Sequence, residues 1–528
     1  MSLLEIDGLD LRIGAERVLH DVSFAVGRGE IVGVIGESGS GKSMTALSVM
    51  QLLPDGAACA GRIGLAGQDM LTLGERALCR LRGRAAGMVF QEPMTALNPL
   101  QSIGRQVAET ILIHEDVSRA EARARAARAL ARVEMPQGRF PLSRYPHELS
   151  GGQRQRVGIA MAIALRPGLL IADEPTTALD VTTQAEVLRL LKHLVREDGM
   201  GLMLISHDLG VVAGMADRIV IMRHGRVVEQ GGFASLTHPY SRALLEASDH
   251  APPSTGEAAG APLLQVRGVV RAYRTARTGW LGKPGVFRAV DGVSFEIRRG
   301  ESLGLVGESG CGKSTLTRAI LGLEAVQAGE IRLDGRPVFD GRRADRALRR
   351  RMQVVFQDPY GSFNPRWTVA RLVSEPFHLL DTPPRGAERE RAVAEALESV
   401  GLTAADRHKY IHEFSGGQRQ RIAIARALII RPELILLDEA VSALDVSIRA
   451  QILDLLADLG QRFGLTYLFI SHDLSVVRNV TDRVLVMQGG RIVEQGATEA
   501  VFAAPEHPYT QQLIDAVPRL PETPRAVR

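Results

Sequence analysis

Short, uninterrupted apolar runs punctuate this chain, and each ends abruptly in glycine, paired acids or a Ser-His-Asp string. Ile31–Ile35 and Ser302–Val306 run into glycine-rich loops, and helical stretches over 45–53 and 315–323 follow them. L-L-I-A-D-E (169–174) and L-I-L-L-D-E (434–439) read as buried strands ending in carboxylates. L-M-L-I-S-H-D and Y-L-F-I-S-H-D read as the next strands, with His207 and His472 at their exits. Continuous rather than alternating apolar runs indicate strands buried on both faces. Strands alternating with helices predict an α/β fold with a largely parallel sheet. In such sheets ligands gather at the carboxyl ends of the strands. Residues 96–148 and 363–413 are richer in Ala, Arg, Glu and Leu and read as helical insertions.

The pattern occurs twice. S-G-G-Q-R-Q-R begins at Ser150 and again at Ser415, 265 residues on, and the same offset relates Asp173 to Asp438, Asp180 to Asp445 and His207 to His472. Gln91 and Gln357 are 266 apart, and Lys42 and Lys313 are 271 apart, so small loop differences lie early in each half. The chain therefore reads as an internal duplication. Residues 1–247 form one domain and 263–528 the other. The Pro/Ala/Gly-rich stretch 248–262 is the linker.

Composition narrows the classes. The 528 residues are 45% hydrophobic and 23% charged, an ordinary globular balance with room for two or more cores. A net charge of +4 is no nucleic-acid signature. Three cysteines without a C-x-x-C pattern argue against a zinc site or a disulfide framework and fit a reduced cytosolic setting. The acidic start does not resemble a signal peptide, and the apolar run 157–165 stops at Arg166, far short of a membrane span. A membrane role would come through a partner. The basic runs 119–128 and 342–351 read as solvated helical faces; in the first, Glu121 lies four residues before Arg125.

The glycine-rich loops carry the chemistry. G-E-S-G-S-G-K-S spans Gly36–Ser43 and G-E-S-G-C-G-K-S spans Gly307–Ser314, each between a strand and a helix. That context distinguishes a phosphate-binding loop from a pair of ligand-free turns. Inward-turned amides of Gly36, Ser38, Gly39, Ser40 and Gly41, with Met44 just beyond, would cradle phosphates. Gly307, Ser309, Gly310, Cys311 and Gly312, with Thr315, would do so in the second half. The helix N-terminus adds its dipole. Lys42 and Lys313 would reach the phosphates, and Ser43 and Ser314 would hold Mg²⁺. The chain has only five lysines against 59 arginines, yet both loop positions are Lys, where a compact ammonium is required.

Taken together, the phosphate loop, Gln91 or Gln357, the S-G-G-Q string, the Asp-Glu strand end and the late histidine resemble the ATP-binding cassette family, in order and twice over. The resemblance implies two tandem P-loop cassettes, each with a RecA-like core, an antiparallel β subdomain and a helical subdomain. It implies head-to-tail pairing. Lys42, Asp173 and Glu174 would face Ser415, Gly416, Gly417 and Gln418. Lys313, Asp438 and Glu439 would face Ser150, Gly151, Gly152 and Gln153. On this reading Asp173 and Asp438 support Mg²⁺ together with the loop serines, Gln91 and Gln357. Glu174 and Glu439 polarise the attacking water. His207 and His472 link the γ-phosphate to those carboxylates, and the two glutamines report to the helical insertions.

Two departures stand out. The family's adenine-stacking aromatic is replaced by Ile13 in the first half, while Tyr273 or Phe287 could serve in the second. Pro175 is matched by Ala440. Both sites are expected to hydrolyse ATP, with the first weaker for adenine. E-P-M-T-A-L-N-P (92–99), D-P-Y-G-S-F-N-P (358–365) and the H-P-Y strings at 238–240 and 507–509 resemble the oligopeptide/dipeptide/nickel branch of bacterial importers, in the fused form of the glutathione and microcin-type peptide importers. Some members of that branch carry an iron–sulfur cluster in the C-terminal extension; with no cysteine after Cys311, none is expected here. This implies two integral-membrane permeases, an extracytoplasmic solute-binding protein, no nucleic acid, and a peripheral position on the cytoplasmic face of the inner membrane. The rival reading is a soluble tandem-cassette factor acting on ribosomes. Such factors have a long, charged inter-cassette helix and lack the H-P-Y strings.

Overall fold

The computed structural model describes residues 2–91, 96–177, 179–252, 260–277, 284–340, 343–358, 361–442, 444–518 and 520. Residues 253–259 of the expected linker, and residues 92–95 and 359–360 of the strings after the two glutamines, lie outside the described residues. The chain divides into two compact units, Met1–Ser248 with Pro518–Arg528, and Asp249–Val517.

In the first unit six strands form one sheet in the order Arg226–Gly231, Arg218–Arg223, Ile31–Ile35, Gly201–Ile205, Leu169–Asp173, Ala86–Val89. All neighbours are parallel except the edge strand Arg226–Gly231. Alternate side chains leave the sheet on opposite faces. Leu170, Ala172, Leu202 and Leu204 join a core with the helical insertion. Leu169, Ile171, Met203 and Ile205 join a second core. That core is closed by an antiparallel sheet in the order Glu16–Gly27, Ser2–Ile13, Ala57–Leu65, Gln68–Asp69. Burial on both sides explains why the strands read as unbroken apolar runs.

The second unit repeats this. Its sheet runs Met352–Val355, Leu434–Asp438, Thr466–Ile470, Ser302–Val306, Arg483–Gln488, Arg491–Ala497, beside an antiparallel sheet of Pro284–Arg298, Pro262–Arg277, Ala328–Leu333 and Arg336–Pro337. Ile435, Leu437 and Phe469 face the helical side, and Leu434, Leu436 and Leu468 the other.

Strand register positions the chemistry. Asp173 and Val34 both pair with Ile205, so the paired acids stand level with the start of the phosphate loop. In the second unit Asp438 and Leu305 both pair with Ile470.

The helices after the loops begin and end earlier than their sequence suggests, at Lys42–Met50 and Lys313–Ile320. Gly41 and Gly312 fix the starts, with φ of 99° and 114°. A Cβ there would lie 2.5 Å from Leu19 Cδ2 and 2.0 Å from the Ala289 carbonyl oxygen, so only glycine fits. Gln51, left-handed at φ 51°, ends the first helix.

The insertions are helical as expected. Ile103–His114 and Arg119–Arg132 pack with Gly151–Ile163, and Val369–Val373 and Gly386–Ser399 with Gly416–Leu428. The basic runs differ in detail. Arg125 pairs with Glu115 rather than Glu121, which pairs with Arg128. Glu115 lies just before the helix, where a bend brings it beside Arg125, and helix spacing alone cannot report such a partner. In the second run Arg351 bridges Glu433 and Asp334, a tertiary tie rather than a solvated face. Among the described residues no helix is long and apolar enough to cross a membrane.

Candidate functional site

In the first unit the phosphate loop wraps a buried lysine. Lys42 Nζ donates to the Gly36 carbonyl (2.7 Å) and the Glu37 carbonyl (3.0 Å). Ser43 Oγ donates to Asp173 Oδ1 at 3.1 Å, joining the helix start to the strand end. Two hard oxygens at that spacing, one a carboxylate, suit a small dication such as Mg²⁺. Among the described residues the buried Ser40 hydroxyl has no protein partner, which fits a loop built to receive a polar ligand.

Glu174 follows at the strand end in a left-handed conformation, φ 46°, with its N–H donated to the Ile205 carbonyl. For a residue other than glycine this conformation is strained, and such strain gathers at functional positions. Three side chains converge on Glu174 Oε2: Gln91 Nε2 at 2.8 Å, Thr177 Oγ1 at 2.9 Å and His207 Nδ1 at 3.2 Å. Burial pushes Asp173 up to about 6, against the Ser43 hydrogen bond and with help from the neighbouring Glu174 charge. Burial also pulls Glu174 upward, but the His207 hydrogen bond and charge, with Thr177 and Lys42, hold it at about 2. Adjacent carboxylates pushed in opposite directions mark a site where the two do different work. Held ionised and fixed by three groups, Glu174 can orient and polarise a water.

In the second unit Lys313 Nζ donates to the Gly307 and Glu308 carbonyls at 2.6 and 2.9 Å. Burial, and then the Glu439 charge, raise Asp438. Glu439 is left-handed at φ 51° and lies 3.3 Å from His472 Nδ1. Burial opposes ionisation of Glu439, but the His472 hydrogen bond and charge hold its carboxyl below the usual range. Ser442, the counterpart of Thr177, donates to the Glu439 backbone carbonyl instead of the carboxylate. Gln357 and Ser314 are exposed. The two carboxylates thus sit in different local networks. Thr177 and Ser442 went unnoticed in the sequence, although a hydroxyl three residues after each glutamate was there to find.

The S-G-G-Q strings are helix starts. Ser150 Oγ accepts from the Gln153 N–H and Gln153 Oε1 from the Ser150 N–H, a reciprocal cap that Ser415 and Gln418 repeat. A Cβ on Gly152 would lie 2.2 Å from Thr183 Cγ2, and one on Gly417 2.5 Å from Ile448 Cγ2, so these glycines serve helix packing. Gly416 has open space around it, and Gly151 only Leu179 nearby, leaving those helix ends accessible. Ser150→Ala is expected to cost about 1 kcal/mol. Differential scanning calorimetry should show a transition lowered by about 2–4 °C.

The adenine-stacking candidates separate. Tyr273 donates its hydroxyl to Glu324, and Arg271 lies over its ring at 4.8 Å. Phe287, its cross-strand partner, is 53% exposed and is the freer aromatic face. Ile13 is half-buried.

Residues 19–177 and 290–442 match the family described as ABC transporter, and 493–527 match the oligopeptide/dipeptide transporter C-terminal region. The glutathione import ATP-binding protein GsiA of Escherichia coli O157:H7 is 47% identical over 566 residues, covering 98% of this chain and 90% of its own. The protein of the same name from Escherichia coli strain K12 is 46% identical over 572 residues with the same coverage.

Proposed function

This chain belongs to the ABC transporter family, and from that premise we propose that it is the ATP-hydrolysing subunit of a bacterial importer for peptides or peptide-like solutes. The observation that carries the reading is the duplicated constellation: in each unit a phosphate-loop lysine, an Asp-Glu strand end and a histidine bonded to that glutamate lie together. Relatives named for glutathione import point to a short peptide as the solute.

Lys42 and Lys313 neutralise the terminal phosphates of ATP. Ser43 with Asp173, and Ser314 with Asp438, would hold Mg²⁺, which supplies charge neutralisation of the phosphates. Gln91 and Gln357 complete those sets. Glu174 and Glu439 orient and polarise the water, and His207 and His472 fix their carboxylates. The Ser-Gly-Gly-Gln helix starts at Ser150 and Ser415 complete the nucleotide-binding set. Two permeases receive the motion through the helical insertions, and a solute-binding protein delivers the cargo. This places the chain peripherally on the cytoplasmic face of the membrane.

Gentle purification of the tagged chain from its own cells, followed by mass spectrometry, tests the reading. Two multi-span permeases with ATPase activity in the complex are expected. Ribosomal proteins without any membrane protein would replace the importer by the translation-factor reading.

A further inference from the structure

The H-P-Y strings, met in the sequence only as family markers, end against the phosphate loops. In the second unit the Glu308 N–H donates to the Tyr509 hydroxyl oxygen at 2.9 Å, across 201 residues of sequence. The carbonyl of the same peptide group, Gly307 O, accepts from Lys313 Nζ at 2.6 Å. One peptide plane at the entrance of the loop is thus held at both ends, by the catalytic lysine on one side and the tail tyrosine on the other.

The tyrosine is itself built in. Tyr509 is 3% exposed, and its N–H donates to His507 Nδ1 at 3.2 Å, which caps the helix Pro508–Asp515. Glu494, on the antiparallel edge strand, accepts from the Glu506 and His507 N–H groups at 2.9 and 3.1 Å and pins the helix start. The first unit repeats the arrangement. Glu229 accepts from the Thr237 and His238 N–H groups, and the Tyr240 N–H donates to His238 Nδ1 at 3.1 Å. Tyr240 is 8% exposed with Arg223 over its ring at 4.6 Å, but among the described residues its buried hydroxyl has no hydrogen-bond partner, so the contact to the loop amide is seen in the second unit. Glu37 and Glu308 are the same position of the two loops.

We propose that Tyr509 is a positioning residue for nucleotide binding: its tail helix braces the first peptide of the second phosphate loop. A lysine that turns toward phosphate loosens its hold on the loop carbonyls. The tyrosine contact does not involve the ammonium, so it keeps the peptide plane oriented through that exchange. The C-terminal region is then part of the ATP site rather than an appendage. This rests on the reading that the second loop binds ATP.

The full-length Lys42→Ala chain, in which the first loop is disabled, is titrated with a fluorescent ATP analogue and Mg²⁺. Adding Tyr509→Phe removes one hydrogen bond and keeps the ring, and is expected to weaken the Kd about fivefold. The unfolding temperature of the nucleotide-free chain should fall by no more than about 2–4 °C, the effect of one hydrogen bond. Glu494→Gln, which loosens the helix anchor, should weaken binding in the same direction. An unchanged Kd in Tyr509→Phe overturns the inference while the ATP-site reading stands. Weaker binding together with a nucleotide-free unfolding temperature lowered well beyond the effect of one hydrogen bond also overturns it, since that is general packing. A Lys42→Ala parent that binds no analogue overturns both.

Discussion

Glu174→Gln together with Glu439→Gln is expected to lower steady-state ATP turnover by about 10²–10⁴-fold, the usual contribution of a positioned acid–base group. Glutamine keeps the shape and the strained backbone, but it removes the charge that orients and polarises water. Binding of ATP should survive, because neither carboxylate is part of the phosphate loop. The single variants should leave unequal residual activity. Glu174 is fixed by Gln91, Thr177 and His207, whereas Glu439 is 3.3 Å from His472 and its Ser442 neighbour bonds the backbone. Colorimetric phosphate release on the purified complex checks this, and equal residual rates in the two single variants would show that the local networks do not matter.

Lys42→Ala and Lys313→Ala should each weaken ATP at its own loop by about 10–100-fold, the loss of charged hydrogen bonds to phosphate. The loss is compounded inside the protein. Each ammonium also holds two loop carbonyls, Gly36 and Glu37 or Gly307 and Glu308, and alanine leaves them without that donor. Lys→Arg should not rescue, since a planar guanidinium fork does not fit where a compact ammonium is buried at 6% exposure. Calorimetric titration with a non-hydrolysable ATP analogue reads the change directly. Near wild-type affinity in both variants would remove the lysines from the site.

The features carried by contiguous residues were legible. The phosphate loops, the Asp-Glu strand ends and the histidine exits are each written in a few neighbouring positions, and strand register then brings them level. What depended on distant partners was not. Lys42 and Lys313 open their helices because Gly41 and Gly312 turn left-handed against Leu19 and Ala289, residues of a separate sheet. Arg125 finds Glu115 beyond the helix start, and Arg351 finds Glu433 just ahead of the strand Leu434–Asp438. The H-P-Y strings open the tail helices Pro239–Ser248 and Pro508–Asp515. That Tyr509 reaches the Glu308 amide is a consequence of folding the edge strand and tail back onto the loop, and no local pattern records it.

The most direct test of the central claim is uptake. Cells lacking this chain are given a panel of labelled short peptides that includes glutathione, with the deletion complemented by the wild-type chain or by the Glu174→Gln/Glu439→Gln chain. Accumulation of at least one peptide should require the wild-type chain and should not return with the double variant. Uptake that is indifferent to the deletion for the whole panel, or that returns equally with both chains, would contradict an importer driven by ATP hydrolysis at these two sites.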